Sequence, residues 1–352
     1  MIKAALPLTL ATLTTVGICR ADVPLVAADI APVHSLVAQV MGTLGEPALV
    51  VSPGASPHSY SMRPSEAKAL QDADIVFWIS AGLTPWLSDS IDTLAPDATQ
   101  VELLELSGTT ELDKRESALF EAHEHHGDER DEGEHHEEAH EVAEHHEEDE
   151  HHDAEEEHAE GEHKEGEEHT ADAAEVDHDH AGDAHDPHAW LDPSNAAVWL
   201  ENIAEQLSQA DPQNSEAYAA NAATGIADLA QLKTDVNVLL APVRGRNFIV
   251  FHDAYQYFEN AFDLPAAGAI SISDASKPGP ARIQQIQDRV VDANVICVLA
   301  EPQFNPDMLK TVLDGTQAGS SVIDPLGSTI KPGAALYSQL VRELAQTLAD
   351  CL

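Results

Sequence analysis

The sequence predicts an α/β protein of two lobes, each with a parallel sheet flanked by helices, joined by one long rigid helix. Three observations favour this fold class. Short apolar runs alternate with amphipathic ones on both sides of the middle of the chain, which is typical of parallel sheets covered by helices. One helical pattern, from Pro212 to Leu240, is much longer than the others. A tract rich in His, Asp and Glu interrupts the first half and has almost no large apolar residues.

The chain begins with a predicted secretory signal peptide, residues 1–21. An apolar run follows Lys3, and Ala21 is the expected cleavage point. The run is short for a membrane span. A lipid anchor on Cys19 is the alternative, but Ile18 stands where bacterial lipidation usually has a small residue. We therefore expect a cleaved, soluble, exported protein.

The first lobe is expected over residues 22–211. Its predicted strands are Pro24–Ala28, Ala48–Val51, Ile75–Ile79 and Thr99–Leu103, and its predicted helices are Val33–Met41 and Pro64–Gln71. A further helix is expected after Asp192, because this carboxylate can cap a helix that starts with Pro193.

A disordered loop is predicted at residues 114–186, inserted in the first lobe. Sixteen of the 20 histidines lie between His123 and His185. Residues 121–186 hold 30 acidic residues against two basic ones, about −28 of the formal charge of −46. Such a stretch cannot bury enough apolar surface to offset the entropy of folding. Imidazoles among carboxylates offer a multivalent surface to a cation such as Zn²⁺, and a plain solvating linker is the alternative.

Residues 212–241 are predicted to form the linking helix, and residues 242–352 the second lobe. At 1.5 Å per residue this helix would span roughly 44 Å, although Gly225 weakens the pattern. The predicted strands of the second lobe are Asn247–Phe251, Pro265–Ile270, Val295–Ala300 and Ser320–Ile323, and its helices are Ala254–Phe262, Arg282–Asp292, Pro306–Leu313 and Ala334–Ala349.

Two cysteines remain once the signal peptide is removed, Cys297 and Cys351. An even number in an exported protein suggests one disulfide. Two buried thiols are the alternative. A bridge would fasten the last helix onto the strand that holds Cys297.

Three of the four histidines outside the tract stand where parallel sheets bind ligands. His58 and His252 each follow a predicted strand, and His188 lies in the turn before a helix. Asp324 ends another strand in the same way. Three imidazoles and one carboxylate form a four-coordinate set suited to Zn²⁺.

Two other residues have weaker claims on this site. His34 begins a helix, where packing or support of a ligand is expected in place of ligation. Glu301 ends a strand and is expected to support a ligand or to replace Asp324 as the fourth one. The chain contains no H-E-x-x-H, G-x-S-x-G or P-loop motif.

At these residues the chain resembles a known family. The similar segments are SPGASPHSYSMRPSEAKALQDADIVFWISAGLTPWL, DPHAWLDPSNA, FHDAYQYFENAF and EPQFNP…VIDPLG. They resemble the zinc-binding periplasmic solute-binding proteins of ABC transporters (the ZnuA-like family, within the metal-binding cluster A-I). The resemblance covers nearly the whole mature chain, in family order. It implies two α/β lobes with the metal between them and a charged, histidine-rich loop in the zinc-binding members.

The resemblance also implies three ligands by motif: His58 in PHSY, His188 in DPHAW and His252 in FHDAY. Manganese-binding relatives tend to carry a glutamate at the third position. The imidazole of His252 therefore favours zinc, in agreement with ligand softness.

The fourth ligand stays open at this point. Related proteins use an aspartate matching Asp324, a water, or a glutamate just before the first histidine, where this chain has Pro57. The zinc-binding members also pair cysteines that resemble Cys297 and Cys351.

These implications together predict a high-affinity periplasmic receptor that binds Zn²⁺ and delivers it to an inner-membrane ABC permease. We expect a monomer and not an enzyme, with periplasmic zinc chaperones as further candidate partners and no nucleic acid. One alternative is a secreted zinc hydrolase, since three histidines and a water also describe a catalytic site. The other is a periplasmic zinc buffer that never meets a transporter.

Overall fold

The computed structural model describes residues 23–115, 117, 120, 184–271, 279–303 and 306–352. The predicted signal peptide and nearly all of the predicted loop lie outside these residues. Within them, the predicted fold class is confirmed: two parallel sheets of four strands are flanked by helices. None of the helices in the described part of the chain is long and apolar enough to cross a membrane.

The first sheet has the strand order β2-β1-β3-β4, all parallel. Its strands are β1 (Val26–Ala28), β2 (Ala48–Leu49), β3 (Ile75–Trp78) and β4 (Thr99–Glu102), and its helices are α1 (Ala31–Met41), α2 (Pro64–Gln71), α3 (Pro85–Leu94) and α4 (Pro193–Ala210). β1 and β3 are buried along their whole length, because helices cover both faces of the sheet. α3 was not predicted from the sequence.

The second sheet repeats this order as β6-β5-β7-β8, again all parallel. Its strands are β5 (Phe248–His252), β6 (Ala269–Ser271), β7 (Cys297–Ala300) and β8 (Gly319–Val322), and its helices are α6 (Gln256–Phe262), α7 (Pro280–Asp292), α8 (Pro306–Leu313) and α9 (Leu336–Cys351).

The long helix α5 (Ser215–Leu240) links the two sheets and packs on α4, α1 and α9. It begins three residues later than predicted, because Pro212–Asn214 form a 3₁₀ turn. Gly225 lies where α5 approaches its neighbours most closely: a Cβ there would lie 2.8 Å from Leu200 and 3.0 Å from Gln39. The glycine that weakens the helical pattern is thus required by packing.

A second connection between the lobes runs through the start of α9. Ser35 on α1 donates a hydrogen bond to the carbonyl of Gly333 (2.8 Å) and accepts one from the backbone N–H of Tyr337 (3.0 Å). The Tyr337 hydroxyl donates to the carbonyl of Trp190, whose indole N–H donates to the carbonyl of Pro325. One apolar core extends across both sheets and these helices.

Cys297 and Cys351 form a disulfide, with Cα atoms 5.8 Å apart. Arg246 also hydrogen-bonds to the carbonyl of Leu352. The disulfide fastens the end of α9 to β7, the strand that leads directly into Glu301, and the Arg246 contact fastens it to the segment before β5.

Each sheet has a crevice where its first and third strands part, at their carboxyl ends, and open α/β sheets bind ligands in such crevices. In the first lobe this position is occupied by Asp29, which is fully buried. Its carboxylate accepts hydrogen bonds from the backbone N–H groups of Ile30 (2.7 Å) and Ile79 (2.8 Å). Burial raises the pKa of Asp29 from 3.8 to about 7, although these two hydrogen bonds act to lower it.

Asp29 should make the stability of the protein depend on pH. Between about pH 4 and 7 the native state keeps a proton on this carboxyl that the unfolded chain has released, so its contribution to stability falls as pH rises. Asp29→Asn has no such proton. In chemical denaturation with a metal chelator, the unfolding free energy of wild type minus that of the variant should fall by up to about 1.4 kcal/mol per pH unit across this range. A constant difference would contradict this assignment.

Candidate metal centre

The structure brings three histidines from separate segments of the chain together. One nitrogen from each of His58, His188 and His252 lies within 4.8 Å of the others. The ring centroids are 5.5 Å apart for His58 and His188, and 5.4 Å apart for His188 and His252. No other group of three or more His, Cys, Asp or Glu side chains converges in this way among the described residues. Three converging imidazole nitrogens are donors suited to Zn²⁺.

His58 lies on a 3₁₀ turn, Pro57–Ser59, and is half-buried. The indole N–H of Trp86 on α3 donates to the carbonyl of Pro57 (2.7 Å), so the helix missed in the sequence analysis helps to fix this turn.

Glu66 at the start of α2 secures both sides of the loop that carries His58. Its carboxylate accepts hydrogen bonds from Ser52 (2.8 Å), Tyr60 (2.9 Å) and the backbone N–H of Arg63 (2.7 Å). Burial acts to raise the pKa of Glu66, but these hydrogen bonds and the Arg63 charge outweigh it and lower the pKa. The loop is therefore anchored to an ionised carboxylate.

His188 is buried and is oriented by Asp186, two residues earlier. The Asp186 carboxylate lies 2.7 Å from Nδ1 of the ring and accepts from the backbone N–H of the same histidine at 3.0 Å. Because Nδ1 faces this carboxylate, Nε2 is the nitrogen that His188 can offer to a metal. The ring also packs against Trp190, with centroids 5.3 Å apart.

His252 is the last residue of β5 and lies in the crevice of the second lobe, the counterpart of the crevice that Asp29 fills in the first. Nδ1 of His252 is 2.6 Å from the carboxylate of Glu301, which directly follows β7. Gln303 donates to the other oxygen of Glu301 at 2.7 Å. Glu301 thus lies behind His252 and supports it, one of the two positions expected for it.

Asp324 does not belong to the group of three histidines. Its carboxylate accepts hydrogen bonds from the backbone N–H groups of Leu326, Gly327 and Ser328 and from the Ser328 hydroxyl, at 2.6 to 3.1 Å. These bonds hold Asp324 within its own turn. As the fourth ligand, Asp324 stays a prediction.

His34 is buried at the start of α1, with Nε2 3.0 Å from the carbonyl of Pro47. Burial lowers its pKa, which keeps the ring neutral. It lies outside the group of three histidines.

Buried carboxylates surround the two deeper histidines. Burial raises the pKa of Asp186 to about 6, and the hydrogen bond from His188 and the charge of Arg115 act against this rise. Burial likewise raises the pKa of Asp253 to about 7, again against the charge of Arg115. Arg115 forms ion pairs with Asp253 and Glu259, both at 2.7 Å. The site is thus an acidic pocket whose charge a bound cation would offset.

Asp186 and Arg115 were not predicted to lie among the charged residues around His188 and His252. Asp186 stands in the DPHAW motif, so its distance of two residues from His188 was a usable signal. Arg115 gave none, because its partners Asp253 and Glu259 are 138 and 144 residues away.

The chain matches known proteins over nearly its whole length. The model of a family described as "ZnuA: Zinc-uptake complex component A periplasmic" matches residues 26–351. The "High-affinity zinc uptake system protein ZnuA" of Brucella abortus (strain 2308) is 43% identical over 331 residues, covering 93% of this chain and 91% of that protein. The protein of the same name from Paracoccus denitrificans (strain Pd 1222) is 43% identical over 334 residues, covering 95% of this chain and 93% of that protein.

Among solved structures, one titled "Crystal structure of ZnuA" is similar to this chain with a TM-score of 0.67. The two chains are 20% identical in sequence, and the match covers 94% of this chain and 99% of the chain in that structure. At that identity the likeness shows the fold.

Removing the charge behind His252 should weaken zinc binding without removing a candidate ligand. We expect Glu301→Gln to lower zinc affinity by about 10- to 100-fold, because a neutral amide stabilises the metal-bound imidazole less than a carboxylate does. Competition with a chromogenic chelator measures this change. Glu343→Gln, at an exposed position on α9, is the matched control and should bind zinc as wild type does. Equal affinities for both variants would contradict the supporting role of Glu301.

Proposed function

The chain belongs to the ZnuA family of periplasmic zinc-uptake components, and we propose that it captures Zn²⁺ in the periplasm and delivers it to an inner-membrane ABC permease. Proteins of this family are binding receptors and not enzymes, which removes the hydrolase alternative. Zinc is therefore the cargo of this chain. A chain that binds and releases an ion unchanged needs ligands, a path by which the ion reaches them and a means of releasing it. It needs no catalytic acid or base.

One observation carries the proposal: three imidazoles converge from both lobes. His58 and His188 belong to the first lobe, and His252 ends a strand of the second. A cation held by all three joins the lobes through its own coordination bonds. Its binding energy then favours the arrangement of lobes in which the three nitrogens meet. A permease that contacts both lobes could recognise this arrangement.

The three candidate ligands favour zinc over harder cations. Imidazole nitrogen suits Zn²⁺, whereas Mg²⁺, Ca²⁺ and Mn²⁺ prefer carboxylate, carbonyl and water oxygens. We propose that Asp324 or a water completes a four-coordinate shell. The hydrogen bonds that Asp324 already accepts make the water the easier fourth ligand.

The three histidines should each be needed for tight binding. We expect His58→Ala, His188→Ala and His252→Ala each to weaken zinc affinity on the order of 100-fold or more, since each removes one of four bonds to the metal. The measurement is chelator competition at less than one zinc per protein, so that the tightest site dominates. Glu343→Ala is the control, because Glu343 is exposed on α9 and lies outside the group of three histidines. Wild-type affinity in any of the three would remove that residue from the site.

Delivery to a permease is tested by transport. With the cognate permease in proteoliposomes, zinc-loaded protein should stimulate ATP-dependent zinc entry, and protein carrying His188→Ala should not. The variant keeps both lobes but lacks a candidate ligand, so it separates delivery of metal from mere contact with the permease. If free zinc at the same concentration enters equally well without the protein, the chain is a zinc buffer and the proposed delivery is wrong.

A further inference from the structure

The predicted loop departs from and returns to a short antiparallel neck, defined here as residues 112–115 and 184–186. Asp113 and His185 pair across it as an antiparallel bridge. The backbone N–H of Asp186 donates to the carbonyl of Leu112 at 2.7 Å, and that of Lys114 donates to the carbonyl of Ala184 at 3.1 Å. The two segments therefore hold one another in register, and Asp186, which orients His188, is part of that register.

The neck is bound to the second lobe although it leaves from the first. The hydroxyl of Tyr257, on α6, accepts a hydrogen bond from the backbone N–H of Leu112 (3.0 Å). The same hydroxyl donates to the carbonyl of Asp186 (2.9 Å). One buried phenol thus joins both segments of the neck to α6.

Arg115 makes the strongest contacts between the neck and the second lobe. One guanidinium nitrogen lies 2.7 Å from Asp253 and 3.3 Å from Glu259, and the other lies 2.7 Å from Glu259. The guanidinium also lies over the ring of Phe120, 3.9 Å from its centroid, and Arg289 on α7 donates to the carbonyl of Phe120. The Arg115 side chain is 20% exposed, so these contacts are shielded from solvent and salt.

Two candidate ligands depend on the elements that Arg115 joins. Asp253 is the residue after His252, so its ion pair with Arg115 fixes the backbone that carries the third histidine. Asp186 is itself part of the neck, where its backbone N–H bonds to Leu112, and its carboxylate holds the ring of His188. A single side chain therefore acts on one ligand from each lobe.

We propose that Arg115 is a positioning residue that keeps His188 and His252 within reach of one metal ion and so slows the release of zinc. This inference rests on the proposed function, because it takes these histidines as ligands. Arg115 does not touch the metal; it acts through Asp253 and through the neck. The planar fork of arginine is needed, since two of its nitrogens clasp Glu259 while one also reaches Asp253.

The test compares two substitutions of Arg115 with two of Arg342 in the full chain. Arg342 is the matched control, because it also pairs with an aspartate (Asp235, 3.0 Å) but lies half exposed on α9. Each protein is loaded with half an equivalent of zinc and mixed with excess chelator, and the rate of zinc release is recorded. The absorption bands of the cobalt(II)-loaded proteins are recorded as well, because they report the geometry of the ligands and not the stability of the fold.

We expect Arg115→Ala to release zinc about tenfold faster than wild type or more, and Arg115→Lys about threefold faster or more, since one ammonium cannot reproduce the fork. The cobalt bands should change in both variants, and Arg342→Ala and Arg342→Lys should match wild type in both readouts. Arg115→Lys keeps the buried positive charge, so it tests the proposal even if Arg115→Ala does not fold.

Wild-type release and wild-type cobalt bands in Arg115→Lys would overturn the proposal, and so would equal acceleration in the Arg342 variants. His188→Ala, measured in parallel, separates the two hypotheses. If His188→Ala loses tight zinc while Arg115→Lys behaves as wild type, only the positioning role fails. If His188→Ala keeps tight zinc, the proposed site itself is wrong.

Discussion

The pairing of buried imidazoles with buried carboxylates is the interaction on which the geometry of the candidate metal centre depends. Asp186 holds His188 and Glu301 holds His252, each at hydrogen-bond distance from Nδ1. Such a pair selects the tautomer, fixes the plane of the ring and raises the basicity of the other nitrogen. Charged carboxylates are costly to bury, and a cation between the rings offsets part of that cost. The same carboxylates therefore orient the two candidate ligands and add negative charge beside them.

The architecture explains why the histidines meet. Parallel strands present their carboxyl ends at one edge of a sheet, so His252 and Glu301, which follow neighbouring strands, lie side by side. The first lobe supplies its two histidines from separate segments: Glu66 and Trp86 hold the turn of His58, and Asp186 and Trp190 hold the segment of His188. Both lobes therefore support the three candidate ligands through hydrogen bonds to other parts of the chain.

The fold could be predicted from the sequence where local signals are strong. α2 and α8 have the limits that were predicted, because each begins with proline and has apolar residues at helical spacing. β6 was predicted to begin at Pro265 but begins at Ala269, since an apolar run does not show which of its residues pair. α3 was missed although it too begins with a proline, Pro85, preceded by Thr84 at the N-cap.

The candidate site, like the fold, could be predicted from the sequence only in part. Histidines at strand ends could be selected because the topology places those ends together. The contacts of Glu301 and Arg115 could not, since each pairs residues far apart in the chain, whereas Asp186 lies only two residues from His188. Glu301 is 49 residues from His252, and Arg115 is 144 residues from Glu259. Periodicity and local motifs do not show which residues pair across such long separations in the sequence.

The filled crevice of the first lobe gives the two halves of the protein unequal roles. Both halves repeat one architectural unit, with strands arranged in the same order. In the first lobe the Asp29 carboxylate bridges the two parting strands by accepting hydrogen bonds from the backbone N–H groups of Ile30 and Ile79. In the second lobe the corresponding crevice holds His252. Two halves with the same strand order thus differ at the same position: the first holds a carboxylate that bridges two strands, and the second holds a candidate metal ligand.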